Sequence, residues 1–444
     1  MIELSPEIVC LVMLGGLVLG VLIGYPIAFV VGAIGLIVGY ALFGAPVFAL
    51  LYQRLFSLIH SYTLLAVPLF VFMGVMLQRS GIAERMYAAL YVWLSGFRGG
   101  LAIITVLIGT ILAACVGVIG ASVSMLSLMA LPAMLKRGYS KSLASGSVCA
   151  GGTLGQLIPP SILLVIYGPM ATISVGKLFM GAICPGLVLS GLYCSYIALR
   201  CLFQPEIAPI VPPEERTVPL IKKISTLTTS LVPPALLILA VLGTIFLGIA
   251  PPTEAAAVGA FVAIVLAIAY RRFNWQILKE TMLQTLKITS MILLIGGMSY
   301  AFVGVFLSAG GGEVVADLIL GAPFGRWGAF AVIMLIVFIL GFFIDIIGII
   351  FIIVPIISPL VLVLGFDPVW FAIMINVNFQ MAYMTPPFAL AIFYLRGSAP
   401  PELEVTMTDI IRGVIPFVGL IFIGLGLFVA FPDIIFWLPG MMIK

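Results

Sequence analysis

Long apolar segments, separated by short clusters of lysine and arginine, make up nearly the whole chain. The basic clusters lie at 79–98, 136–141, 200–223, 271–287 and 396–412. A membrane-spanning helix needs about 20 mostly apolar residues, and the segments between the clusters provide that length. The pattern therefore predicts an all-α, multi-pass (polytopic) membrane protein.

The apolar segments predict a similar series of elements in each half of the chain. The first half is predicted to contain spans at 8–24, 27–45, 61–78 and 178–199, an amphipathic segment at 47–60, a run at 101–135 and a broken helix at 145–170. The second half is predicted to contain spans at 229–249, 254–270, 288–307 and 413–431, an amphipathic segment at 273–287, a run at 328–364 and a broken helix at 370–394.

An internal duplication accounts for this similarity. The segment "PPSILLVIY" begins at Pro159 and "PPFALAIFY" begins at Pro386, an offset of 227 residues. Other glycines and prolines recur at offsets of 226 to 228 along the chain. Repeats at a fixed offset indicate duplicated structural units, so we predict two repeats, at 1–227 and 228–444.

The charge pattern predicts that the second repeat is inverted. Basic loops face the cytoplasm, and both flanks of the run at 101–135 are basic. This run is therefore predicted to be a re-entrant hairpin, leaving five transmembrane helices in each repeat. An odd number of crossings inverts the second repeat, and its hairpin at 328–364 then opens to the outside. Inverted repeats with matched interruptions are typical of secondary transporters, although a duplicated bundle of kinked helices without transport activity is an alternative.

Composition limits the other classes of function. Hydrophobic residues make up 63% of the chain and charged residues 8%, against about 25% charged in soluble domains. His60 is the only histidine, and the six cysteines show no metal-ligand spacing. An enzyme site, a protein-bound cofactor and a nucleic-acid partner are therefore not expected, while membrane lipid is.

Four polar or glycine-rich interruptions carry the candidate chemistry. They are "GVIGASVS" (117–124), "GGTLGQLIPP" (151–160), "IDIIG" (344–348) and "NVNFQMAYMTPP" (376–387). Broken helix in a membrane is tolerated where the freed backbone binds a ligand or faces water. Carbonyl and hydroxyl oxygens suit an alkali cation, and helix N-termini suit an anion. The predicted binding residues in these interruptions are Gly117, Gly120, Ser122, Gly151, Gly152, Thr153, Asp345, Gly348, Asn376 and Asn378.

Asp345 is the only charged residue between Trp327 and Phe366. An acidic side chain inside a membrane segment indicates a functional site. A role in cation binding or coupling is favoured, and a buried structural hydrogen bond is the alternative. A channel-like pore is disfavoured because polar residues are confined to the interruptions.

Four motifs resemble the large membrane subunit of tripartite ATP-independent periplasmic (TRAP) transporters. They are "RGYSKSLASGSV" (137–148), "AGGTLGQLIPPSILLVIYG" (150–168), "GIAPPTEAAAVGA" (248–260) and "MTPPFALAIFYLRG" (384–397). The resemblance implies binding roles for Gly155, Pro159, Pro160, Ser161, Thr385, Pro386 and Pro387. It places sodium near Ser122, Gly155 and Pro159, and again near Asp345 and Thr385. Gln156 stands where an apolar residue is more usual, so it is a candidate substrate contact.

The resemblance also implies a mechanism and partners. The hairpins and the two broken helices would form the mobile domain of a sodium-coupled elevator in the bacterial cytoplasmic (inner) membrane. Its partners would be a small four-helix membrane subunit and a periplasmic binding protein that delivers a small organic acid. The alternative is a cation-coupled organic anion symporter that works without a binding protein.

Overall fold

The structure is a computed structural model that describes residues 4–94, 96–116, 119–210, 219–387 and 389–442, and the side chains of residues 113–116 and 220 lie outside the description. The described residues form α-helices and short 3₁₀ turns, with no β-strand among them. The predicted all-α fold is confirmed.

Twenty α-helices are present in the described part of the chain. Those of the first half are α1 (Pro6–Leu22), α2 (Ile27–Phe43), α3 (Pro46–Ile59), α4 (Ala66–Arg79), α5 (Ile82–Leu94), α6 (Gly100–Val116), α7 (Ile119–Leu135), α8 (Lys141–Thr153), α9 (Ile162–Ala171) and α10 (Val175–Phe203). Those of the second half are α11 (Leu220–Phe246), α12 (Pro252–Ala269), α13 (Trp275–Ser308), α14 (Gly311–Leu320), α15 (Gly325–Leu340), α16 (Ile346–Val363), α17 (Pro368–Met384), α18 (Leu390–Ser398), α19 (Met407–Ala430) and α20 (Asp433–Gly440).

The order of elements recurs between the halves. In each half a pair of hairpin helices, α6–α7 or α15–α16, precedes a broken helix, α8–α9 or α17–α18. The proposed boundary between residues 227 and 228 lies inside α11, and residues 211–218 before that helix are outside the description. The inversion of the second half stays a prediction.

Seven helices among the described residues are long and apolar enough to cross a membrane. They are Tyr62–Arg79, Val175–Phe203, Ile221–Phe246, Pro252–Ala269, Trp275–Ser308, Ile346–Val363 and Met407–Ala430. Several shorter apolar helices, including α1, α2 and α7, accompany them. This number rests on length and composition, so the five spans predicted for each half are not tested by it.

Two predicted segments form one helix in the second half. The amphipathic segment at 273–287 and the span at 288–307 are continuous in α13, which has 34 residues. The Asn274 side chain caps this helix by accepting a hydrogen bond from the Ile277 N–H at 2.8 Å. No proline interrupts this stretch, so the helix continues where the sequence changes from amphipathic to apolar. The change in sequence therefore reflects different surroundings along one helix.

The hydropathy pattern missed α5 and α14, which occupy matching places before the two hairpins. In α5 the charged residues Glu84 and Arg85 are exposed, while Met86 and Leu90 are buried. The helix is short and amphipathic. When hydropathy is averaged along the sequence, its charged residues therefore make it resemble a basic loop.

The broken helices pack against the hairpins of both halves. α8 lies against α6 and α7 of its own half, whereas α18 lies against α7 and α9 lies against α16. Two hydrogen bonds mark the contacts between halves: Ser398 Oγ donates to Ser124 Oγ at 2.7 Å, and Ser358 Oγ donates to the Ala171 carbonyl at 3.4 Å. These contacts between the halves bring their interruptions together.

Candidate functional site

The first broken helix is interrupted between Thr153 and Ile162. A 3₁₀ turn covers Leu154–Gln156, and the Pro159–Pro160 peptide bond is cis. Ser161 donates its side-chain hydrogen bond to the Gln156 carbonyl, which closes the interruption. The predicted break at 151–160 is therefore shifted, because Gly151, Gly152 and Thr153 form the last turn of α8.

The second broken helix is interrupted between Met384 and Leu390. The Pro386–Pro387 bond is cis, and Thr385 Oγ1 donates to the Met381 carbonyl at 2.8 Å. The predicted break at 376–387 is too long, since α17 continues to Met384. No proline precedes Pro386 in this run, so nothing ends the helix earlier.

The breaks at the two hairpins differ from the predicted interruptions, the first because α7 begins earlier and the second because it is displaced along the chain. Residues 119–124 already belong to α7, while Gly117 lies outside the described residues. In the second hairpin the break covers 341–345, and Gly348 is inside α16. Its missing side chain leaves room for Ile27, whose Cδ1 would lie 2.4 Å from an added Cβ.

Asp345 begins α16 and is hydrogen-bonded to the broken helix. Its Oδ2 accepts from the Ile347 N–H at 3.3 Å, and its Oδ1 accepts from the Tyr383 hydroxyl at 2.9 Å. Tyr383 lies near the end of α17 and is 7% exposed, whereas Asp345 is half-buried. The carboxylate therefore joins the second hairpin to the second broken helix and keeps some access to its surroundings.

A cavity of about 230 Å³ lies beside this pair and is lined by both halves of the chain. Its lining residues are Ile119, Gly120, Gln156, Ile162, Leu163, Ile288, Met291, Ile292, Asp345, Ile347, Tyr383 and Tyr394. The Tyr394 ring lies on Gly120, with its Cζ 3.0 Å from where a Cβ would stand. Asp345 is the only charged residue in this lining, and no basic side chain is among the described residues there.

The cavity brings together Gly120, Gln156 and Asp345 of the predicted site. Pro159 instead lines a separate apolar cavity between α6, α10 and α11. Those that line neither cavity among the described residues are Ser122, Gly151, Gly152, Thr153, Gly155, Pro160, Ser161, Gly348, Asn376, Asn378, Thr385, Pro386 and Pro387. The binding roles of all these residues stay predictions.

Gly152 has a packing role that the structure shows directly. A Cβ at this position would lie 2.5 Å from Val123 Cγ2 and 3.0 Å from Val123 Cα. The end of α8 therefore contacts the backbone of α7 near the hairpin turn, and only glycine permits that distance. The first broken helix and the first hairpin are therefore in direct contact.

The buried side-chain amides of α17 donate hydrogen bonds to other groups of the protein. The Nδ2 of Asn376 donates to the Ala372 carbonyl at 2.8 Å, and that of Asn378 donates to the Met334 carbonyl at 2.7 Å. Gln380 Nε2 donates to Tyr193 Oη at 3.1 Å and to Thr153 Oγ1 at 3.4 Å. These bonds connect α17 to α15, α10 and α8, so these side chains have a structural role in this conformation.

Gln156 differs from those amides. Its side chain is fully buried, and neither its Nε2 nor its Oε1 has a hydrogen-bond partner in the described part of the chain. Leaving a buried polar group unpaired costs about 1–3 kcal/mol. Such an exception within a cavity wall points to a bound molecule.

Sequence reasoning missed Tyr383 and Tyr394 as cavity residues. Both aromatic rings lie in apolar runs, where tyrosine is ordinarily part of the core. The duplication could have identified Tyr383, because this residue lies 227 residues after Gln156, the offset between the two halves. The two residues occupy equivalent positions of the two broken helices and line the same cavity.

Comparison with known protein families assigns the chain. The family described as "Tripartite ATP-independent periplasmic transporter, DctM component" matches residues 14–434. The chain belongs to this family. It is therefore the large permease component of a TRAP transporter and a membrane protein, and its relatives are transporter permeases rather than enzymes.

Three relatives illustrate the similarity. The C4-dicarboxylate TRAP transporter large permease protein DctM of Vibrio cholerae is 31% identical over 405 residues, covering 86% of each chain. The 2,3-diketo-L-gulonate TRAP transporter large permease protein YiaN of Escherichia coli is 29% identical and covers 96% of this chain and 97% of its own length. The isethionate TRAP transporter permease protein DctMQ of Oleidesulfovibrio alaskensis is also 29% identical, covering 92% of this chain and 63% of that longer protein.

A solved structure shares the fold. The crystal structure of the YdaH transporter of Alcanivorax borkumensis superposes with a TM-score of 0.64 and covers 89% of this chain and 91% of its own. The sequences are 17% identical, so this similarity supports the architecture alone.

Proposed function

We propose that this TRAP permease is the translocation subunit of a sodium-coupled secondary transporter that imports small organic acid anions. The observation that carries the proposal is the cavity between the two halves, which is lined by the Asp345–Tyr383 pair of one half and by Gln156 of the other. Ligand sites at interrupted helices between repeats are typical of secondary transporters.

Sodium is the coupling ion in this proposal. Within the described residues, no group of three or more His, Cys, Asp or Glu side chains is placed to hold a metal ion. The candidate ligands are instead one carboxylate, at Asp345, together with hydroxyl and backbone oxygens near Thr385 in one half and near Ser122 in the other. Hard oxygen ligands with little net charge fit a monovalent cation better than a divalent one.

An elevator movement is the proposed mechanism. The hairpins and broken helices of both halves are connected to one another by the Ser124–Ser398 and Ser358–Ala171 hydrogen bonds. The long helix α13 packs instead against α2, α3 and α4, and Arg79 of α4 forms a salt bridge with Glu280 of α13. This division into two packed groups supports a mobile domain that slides along a scaffold, although α13 also contacts α16.

The proposed partners follow from the family. A small membrane subunit and a periplasmic binding protein that delivers the substrate would complete the transporter, in the bacterial inner membrane. The relatives named for C4-dicarboxylates, 2,3-diketo-L-gulonate and isethionate support an organic anion as the substrate class.

The decisive experiment is uptake of a labelled organic acid into proteoliposomes that contain the permease and its small subunit. Uptake is expected only when the binding protein is added outside and sodium is higher outside than inside. Replacing the sodium gradient by a potassium gradient of equal size is the control. Equal uptake under both gradients would exclude sodium coupling, and uptake without the binding protein would favour the stand-alone symporter.

The inverted topology predicts opposite sides for equivalent loops. We expect single cysteines at Lys136 and Glu402 to react with a membrane-impermeant thiol reagent only from the cytoplasm, and one at Glu313 only from the outside. All three residues are exposed, so the reagent can reach them. The measurement requires a background without the six native cysteines, and labelling of Lys136 and Glu313 positions from one side would contradict the inversion.

A further inference from the structure

The side-chain amide of Gln156 has no hydrogen-bond partner among the described residues, whereas its equivalent in the second half has one. Tyr383, 227 residues later, donates to Asp345 at 2.9 Å. The position 228 residues before Asp345 is Gly117, which carries no side chain that could pair with Gln156. Within the part of the chain that the structure describes, one half thus has a paired polar group, and the other has an unpaired donor and an unpaired acceptor at the equivalent position.

The surroundings of Gln156 identify the missing partner. Ile162 and Leu163, in the first turn of α9, line the same cavity. Ser161 precedes that turn without capping it, and its hydroxyl donates to the Gln156 carbonyl. An uncapped helix N-terminus attracts a carboxylate, and the buried, unpaired amide beside it is a second and independent indication of a ligand.

A simple carboxylate satisfies only part of this site. Its oxygens accept hydrogen bonds from Gln156 Nε2 and from the first turn of α9, but they donate none to Gln156 Oε1. Asp345, which lines the same cavity, is also an acceptor when ionised and repels a second carboxylate. Gln156 Oε1 therefore requires a hydrogen-bond donor on the ligand, such as a hydroxyl or an ammonium.

We propose that this cavity selects organic acids that carry a hydroxyl or ammonium group close to a carboxylate, and that Gln156 determines this specificity. The inference rests on the proposed function, because it concerns which anions the permease accepts. In the bound state, the ligand's donor pairs with Gln156 Oε1, and its carboxylate lies between Gln156 Nε2 and the first turn of α9. The cavity volume of about 230 Å³ accommodates a small acid of this kind.

The test measures binding to the purified permease in lipid nanodiscs with sodium present and without a binding protein. Succinate, malate and aspartate share a four-carbon skeleton and differ in having no donor, a hydroxyl or an ammonium. Wild-type permease is expected to bind malate or aspartate at least about fivefold more tightly than succinate, the ratio that one net hydrogen bond provides. The better of the two shows which donor the cavity prefers.

Two variants connect that preference to Gln156. Gln156→Leu and Gln156→Met replace the amide side chain by an apolar one of similar size. Either variant serves if the other folds poorly. Both are expected to bind the three acids within about twofold of one another, since the donor no longer gains its partner. The matched control is Gln276→Leu, on the exposed start of α13, which should keep the wild-type preference.

The results distinguish this inference from the proposed function. Equal binding of all three acids by the wild type, or an unchanged preference in both Gln156 variants, would overturn the inference and leave organic anion transport standing. A parallel series of propionate, lactate and alanine covers a shorter skeleton. Failure to bind any acid of either series would contradict the proposed function together with the inference.

Discussion

Replacing Asp345 by asparagine should raise the sodium concentration needed for half-maximal uptake by at least about tenfold. Two unit charges 4 Å apart attract each other by about 4 kcal/mol at the effective dielectric constant of a protein surface, so loss of a carboxylate from a cation site exceeds the roughly 1.4 kcal/mol that a tenfold change requires. The measurement is the sodium dependence of organic acid uptake in proteoliposomes.

Asparagine is the informative replacement because it preserves the geometry. Asp345 accepts from the Tyr383 hydroxyl at Oδ1 and from the Ile347 N–H at Oδ2. In the asparagine variant the side-chain oxygen can accept from the Ile347 N–H, and the side-chain NH2 can donate to the Tyr383 hydroxyl oxygen. Asparagine is also a good residue at the start of a helix. The substitution therefore removes the charge while the second hairpin and the second broken helix remain connected.

Asp367 provides the matched control. It also begins a helix, α17, and its carboxylate accepts from the Val369 N–H at 2.8 Å and the Trp370 N–H at 3.0 Å. It is exposed and lines no described part of the cavity, so Asp367→Asn should leave the sodium dependence unchanged. If both variants respond to sodium as the wild type does, Asp345 is a structural helix cap and not a cation ligand.

The sequence predicted the fold because the lipid environment simplifies the pattern. Apolar runs, prolines and basic clusters located the long helices and the two broken ones, since the backbone in a membrane must be satisfied internally. The two short helices α5 and α14 were missed because their charged residues lie on one exposed face. The order of elements in α11–α19 follows that of α1–α10, with the single helix α13 in place of α3 and α4, as the repeated proline motifs predict.

The candidate site was harder to predict, because some polar side chains in the interruptions form hydrogen bonds to other helices and others do not. Asn378 forms a hydrogen bond across to α15, and Gln380 forms bonds to α8 and α10, which no spacing in the sequence specifies. The Gln156 side chain has no hydrogen-bond partner in the described ranges of the chain. Only the contacts between helices separate an amide that holds the fold from one that is available to a ligand.

Replacing Gly413 by alanine should destabilise the folded permease by at least about 2 kcal/mol. A Cβ at Gly413 of α19 would lie 2.1 Å from the Ser142 carbonyl oxygen, and one at Gly146 of α8 would lie 2.2 Å from the Gly413 carbonyl oxygen. Because the opposing atoms belong to the backbone, no side-chain rotation relieves the contact and the two helices must move apart. Overpacking of this kind costs about 1–3 kcal/mol or more.

Gly419, six residues further along α19, is the matched control. A Cβ there meets nothing within 4 Å, and alanine is a better helix former than glycine, so Gly419→Ala should be as stable as the wild type or slightly more so. Resistance to unfolding by sodium dodecyl sulfate in mixed micelles measures both variants. Since α8 carries the first broken helix and contacts α6 and α7 on its other sides, loss of its close contact with α19 loosens the support of the cavity. Equal stability of the two variants would mean that α8 and α19 do not approach each other this closely in the membrane.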